Sequence, residues 1–249
     1  MVVYSEKGGM KMVKMGHLIE TYGTGAWDLV ERVEDCKKYL FQKQLELMGE
    51  IFAKKKVNIS TETMLEKLVL AAFDEWVEAR EWWDKLGIEG INIQKEIAFE
   101  YIDGLHFALQ LAITGEMYQD GVRELNPEVV AGYVGNEDFL NRLMKFFAVP
   151  FEVTGNEIIV PKLLSAVLGT LEWKHWKTYE NHFAKSYDTF VQNVGKLIKA
   201  EALMAYMYIK LEEPLRLLTT TNMHDIWKDV AWLYTIKNFE NFARQERGY

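Results

Sequence analysis

The stretch KEIAFEYIDGLHFALQLA, Lys95 to Ala112, constrains this chain more than any other. Its spacing is helical, and apolar residues fall on all sides of the wheel. Ala98, Tyr101, Ile102, Leu105 and Leu109 share one face, while Ile93, Phe107 and Leu111 line the other. A helix that is apolar all round belongs in a protein interior. Yet Glu96, Glu100 and Asp103 interrupt it, the last two separated by a single turn. A solvated stripe would stay polar in both directions. This one does not, so the pattern predicts buried acids.

The preceding segment, EKLVLAAFDEWVEAREWWDKLG, repeats the arrangement. Glu75 and Glu78 stand at i,i+3, with Leu68 and Ala71 above Glu75 on its stripe and Ala79 and Trp82 below. The glycine-marked link KLGIEGIN (Lys85–Asn92) is short, which predicts adjacent antiparallel helices and four converging carboxylates: Glu75, Glu78, Glu100 and Asp103. An unpaired buried charge costs several kcal/mol, so the group must be neutralised. Protonation, pairing with residues such as Lys67 or Arg80, or a hard cation such as Mg²⁺ or Mn²⁺ would each serve.

The same periodicity predicts helices over Trp27–Phe52, Ser60–Leu86, Asn92–Tyr118, Asn136–Phe147, Lys162–Tyr179, Phe183–Lys210 and Asp225–Arg244, hence an all-α helical bundle. Ser60 is the expected N-cap of the second helix, and Pro127 and Pro161 mark helix starts. FEVTGNEIIV (Phe151–Val160) reads as one small β-hairpin. The first 25 residues carry five glycines and are expected to be partly irregular. One domain, 1–249, accounts for the chain, with an acid-motif core at 26–120, a helical insert or mobile lobe at 121–224 and a closing tail at 225–249.

With 49% apolar residues the chain can build a sizeable core, which excludes disorder as its class. Cys36 is the only cysteine, so no intramolecular disulfide forms and a reducing compartment is expected. No apolar run has the length of a membrane span and the N-terminus lacks the apolar block of a signal peptide, so an intracellular, cytoplasmic protein is expected. The net charge of −8 argues against nucleic acid as a partner. A phosphate ligand would then need local lysines and arginines or a divalent ion. There is no Walker glycine loop, dinucleotide fingerprint or serine-nucleophile elbow, which favours metal-only phosphoryl chemistry. The run Lys54–Lys56 reads as a solvated loop, and His106 as a hydrogen-bonded packing residue.

The pattern Glu75-x-x-Glu78 followed by Glu100-x-x-Asp103 resembles the signature of the all-α nucleoside triphosphate pyrophosphatases, among them the dimeric dUTPases, phage dCTPases and MazG-like proteins. The tail YTIKNFENFARQERGY (Tyr234–Tyr249) is similar to the closing motif of the dimeric dUTPases, and FEYIDGLHF (Phe99–Phe107) to their second acid motif. The likeness spans about Leu40 to Asp120 and Asp225 to Tyr249. It implies an Mg²⁺-dependent hydrolysis of a pyrimidine deoxynucleoside triphosphate, dUTP first, to monophosphate and pyrophosphate. It further implies Glu75, Glu78, Glu100 and Asp103 as metal ligands, with Glu78 orienting or deprotonating the water. Lys237 and Arg244 would grip phosphate, Asn238 and Asn241 would touch sugar or phosphate, and Tyr249 would help close the site. The tail is expected to fold over bound triphosphate and become ordered there. A homodimer and a phage-type origin are also implied.

In the family's base-reading helix, YLFQKQLELMG offers Gln42 and Gln44, with Glu46 where an asparagine is expected. A carboxylate only accepts hydrogen bonds, so Glu46 suits the amino group of cytosine, making dCTP or a modified dCTP the alternative substrate. A non-catalytic helical interaction or regulatory protein with the same fold is the alternative class.

Overall fold

The computed structural model describes residues 15–65, 67, 68, 71, 75, 78, 93–147 and 226–247. The described residues are mostly helical, with one two-strand ladder. Three helices begin with the same local device, an Asx side chain accepting the backbone N–H three residues on. Asp35 takes the Lys38 N–H at 3.0 Å and starts α2 (Cys36–Lys55). Asn126 and Asn136 do the same for α5 (Pro127–Ala131) and α6 (Glu137–Leu143). Each such cap contributes about 1 kcal/mol.

Asp35 also explains a departure from expectation. The single helix expected over Trp27–Phe52 is two, α1 (Met15–Val30) and α2, because residues 31–35 leave the helix to place that cap. The irregular start is likewise overturned from Met15 onward. Gly23 and Gly25 sit inside α1, where tertiary contacts outweigh their low helix propensity. The Trp232 indole donates to the Gly23 carbonyl at 2.8 Å, and Leu18, Ala26 and Val30 are buried.

The described positions within 61–78 are helical and are labelled α3. Ser60 caps them as expected, its Oγ accepting from the Thr63 N–H at 3.1 Å. Ser60 also belongs to β1 (Ile59–Ser60), antiparallel to β2 (Glu124–Leu125), with Ile59 opposite Leu125. Two-residue strands are too short to show a period in sequence, so the ladder was not foreseen. The hairpin at Phe151–Val160, the helices at Lys162–Tyr179 and Phe183–Lys210, the link Lys85–Asn92 and Tyr249 lie outside the described residues.

Next comes α4 (Ile93–Gln119), within a residue of expectation at each end. Ala98, Ile102, Leu105, Leu109 and Leu111 are all buried, and α4 packs on α1, α2, α6 and the C-terminal helix. It ends at Gly121, whose φ of +89° lets the Val122 N–H reach back to the Met117 carbonyl at 3.0 Å. The helix expected over Asn136–Phe147 tightens after α6 into a 3-10 turn, Met144–Phe147.

The last described element, α7 (Ile226–Glu246), matches the helix expected over Asp225–Arg244 within two residues at each end. Val230, Ala231, Leu233, Tyr234 and Ile236 are fully buried, and α7 packs against α1, α2 and α4. Burying one such large apolar side chain contributes about 1.5–3 kcal/mol, which holds this helix in the core without a ligand. No described helix is long and apolar enough to cross a membrane.

Candidate functional site

Two helices supply the acids. From α3 come Glu75, half-buried, and Glu78, exposed; from α4 comes Glu100, buried. One carboxylate oxygen from each lies within 4.8 Å of the other two. Their i,i+3 and cross-helix placement follows from Leu68, buried on α3, and from Ala98, Phe99 and Ile102, buried on α4. The apolar stripes pack, and the acids beside them are carried to one spot.

The fourth acid is engaged differently. Asp103 faces α7, and its Oδ2 accepts from the Lys237 ammonium at 2.6 Å, with Lys237 only 7% exposed along its side chain. The Lys237 ammonium also lies 5.8 Å from the centroid of the Phe99 ring. Burial, then the charges of Asp103, Glu100 and Glu78, push the Glu75 carboxyl up to about 8, while Lys237 opposes the rise. Negative charge therefore accumulates around Glu75. It attracts either a proton or a cation.

Beside it lies a buried polar network. His106, one turn after Asp103, places Nδ1 at 3.0 Å from Gln44 Oε1, and the same oxygen accepts from the Tyr234 hydroxyl. With the Gln44 oxygen as common acceptor, the His106 proton sits on Nδ1. The His106 ring stacks on Tyr234 with centroids 4.0 Å apart, and Gln44 Nε2 donates to Gln110 Oε1 at 3.4 Å. Burial, then the Lys237 charge, hold the His106 imidazole down to about 3, so it is neutral at working pH. His106 Nε2 and Asn238 Oδ1 are buried and have no hydrogen-bond partner among the described residues.

The remaining expected residues are distributed as follows. Asn238 is buried on α7 next to Lys237, and Asn241 is half-buried one turn on. Arg244 Nε donates to the buried Glu240 at 3.1 Å, and Arg247 Nη2 reaches the same oxygen at 3.0 Å. Gln42 and Glu46 are on the outer side of α2, joined to each other at 3.0 Å, and Lys43 also binds Glu46, at 2.6 Å. Neither joins the polar network. The amide that does is Gln44, whose signal was its position among Leu40, Phe41, Leu45 and Met48 on the buried face. Tyr234 had no comparable signal, since an aromatic on an apolar face reads as core. Lys54, Lys55 and Lys56 are exposed, as a solvated run should be.

Comparison with known proteins finds no matching family model, no matching curated protein and no matching solved structure.

Proposed function

We propose that this protein hydrolyses a pyrimidine deoxynucleoside triphosphate, dUTP before dCTP, to its monophosphate and pyrophosphate, with Mg²⁺ or Mn²⁺ as the resident ion. One observation carries the reading: carboxylate oxygens of Glu75, Glu78 and Glu100 lie within 4.8 Å of one another. Oxygens around one Mg²⁺, each about 2.1 Å from it, stand roughly 3.0–4.2 Å apart, so this donor set fits a hard divalent ion with little movement. The raised Glu75 carboxyl supports the same fit, because a cluster that holds a proton near pH 8 lacks a cation. The sequence likeness of the acid pairs and the tail to the all-α pyrophosphatases supplies the substrate class.

When bound, the ion would supply charge neutralisation for phosphate oxygens and acidify water near them. The chain's own residues do the rest. Glu78, the most exposed of the three glutamates, would orient the attacking water and accept its proton. Water oxygen bonds to the α-phosphorus as the bridging oxygen leaves with pyrophosphate. Lys237 and Arg244 lie on α7 and offer positive charge to the phosphate oxygens, while Asn238 and Asn241 offer amides to sugar or phosphate.

The test is a panel of deoxynucleoside triphosphates, including dUTP and 5-modified dCTP, assayed with Mg²⁺ and Mn²⁺ for monophosphate and pyrophosphate. Turnover of dUTP is expected, and Glu78→Gln should lower it about 10²- to 10⁴-fold with an unchanged circular dichroism spectrum. Turnover of dCTP alone would move the substrate assignment. No turnover of any nucleotide would sink the enzymatic reading.

A further inference from the structure

Three of the four expected metal ligands face one another, but the fourth is held by an amine of the chain itself. Lys237 reaches Asp103 from α7, a helix anchored in the turn before the lysine by the buried Tyr234 and Ile236, so the ammonium is delivered by the core. A buried ammonium at 2.6 Å from one carboxylate, beside three more, acts as the cluster's internal counter-ion.

We infer that Lys237 and a divalent cation exchange: Lys237 neutralises the acid cluster while it is empty of metal, and entry of the cation recruits Asp103 and releases the ammonium. Two positive groups cannot share Asp103 without repelling each other, and a doubly charged ion attracts four carboxylates more strongly than one ammonium does. The released ammonium stays on α7 at the edge of the site. There it is free to bind an anionic oxygen, so cation binding prepares anion binding. This inference rests on the metal reading proposed above.

The experiment uses two measurements on the full chain without nucleotide. The first is calorimetric titration of Mg²⁺ into wild type and Lys237→Met; removal of the competitor should tighten binding about tenfold. The second is the rate at which an amine-reactive reagent labels Lys237 in the wild type, read by mass spectrometry, with and without saturating Mg²⁺. Labelling should accelerate severalfold when Mg²⁺ is present. Unchanged or weaker Mg²⁺ binding in the variant overturns the exchange. So does tighter binding with Lys237 still equally protected, since the lysine would then oppose the ion without leaving. If Lys237→Met does not fold, the labelling result alone decides. Absence of Mg²⁺ binding in both proteins would instead overturn the metal reading itself, and the exchange with it.

Discussion

Among the described residues of α4, Glu100 and Glu116 are both buried glutamates, and the fold gives them different neighbours. Glu116 meets cations on both oxygens: Arg142 Nε at 3.2 Å and Lys145 Nζ at 2.6 Å. Arg142 continues to Asp120, so acids and bases alternate and α4 is clamped to α6 and the 3-10 turn. Glu100 shares its spot with two further carboxylates, those of Glu75 and Glu78, and the next acid on its face, Asp103, pairs with Lys237. Burial alone therefore does not distinguish a structural acid from a candidate ligand. The convergence of further carboxylates on the same spot does.

The largest effect should come from neutralising each cluster in turn. Glu116→Gln leaves two half-exposed cations without their shared anion and should lower unfolding stability by about 2 kcal/mol in denaturant titration. Glu75→Gln replaces a carboxyl that is largely protonated near pH 7 with a neutral amide, and in Mg²⁺-free buffer at that pH it should not destabilise at all. Equal losses in the two variants would break the contrast.

A second effect should appear with pH. Glu75 titrates near 8 when folded, against an ordinary value of 4.5, so the folded chain holds a proton that the unfolded chain has lost between those limits. Stability without divalent ions should fall as pH rises from 4.5 to 8, and level off above. Thermal melts across that window should show the slope in wild type, a reduced slope in Glu75→Gln, and little slope in saturating Mg²⁺. A wild-type melting temperature that rises through the same window would contradict the assignment of Glu75.

Salt should give the smallest change. Above pH 8, raising NaCl to about 1 M shortens the screening length to roughly 3 Å, which relieves repulsion among the ionised Glu75, Glu78 and Glu100. The Mg²⁺-free wild type should gain slightly in melting temperature relative to Glu75→Gln in the same salt. A larger gain in the variant would place the dominant repulsion elsewhere.

Much of this site was legible in the chain. The i,i+3 acid pairs on apolar stripes located Glu75, Glu78, Glu100 and Asp103, since helical geometry converts spacing into a face without knowledge of neighbours. Lys237 was legible as a cation of the tail, but its partner was not. Which acid it meets depends on how α7 crosses α4, and nothing local to either helix encodes that crossing. The base-reading assignment shows the same limit. Gln42, Gln44 and Glu46 lie close together in sequence, and only the packing of α2 turns Gln44 inward to His106 and Tyr234 while Gln42 and Glu46 pair outside.

By itself, then, the amino-acid order determined the helical class, the helix starts at Ser60 and Pro127, and the placement of acids on otherwise apolar faces, because each follows from backbone geometry over one or two turns. Only the tertiary structure decided that three glutamates share one spot, that Asp103 turns instead to Lys237, and that the tail helix is buried in the core. Those outcomes depend on charge and apolar surface brought together from distant parts of the chain, where Coulomb energy and burial act on separations in space and not on separations along the sequence.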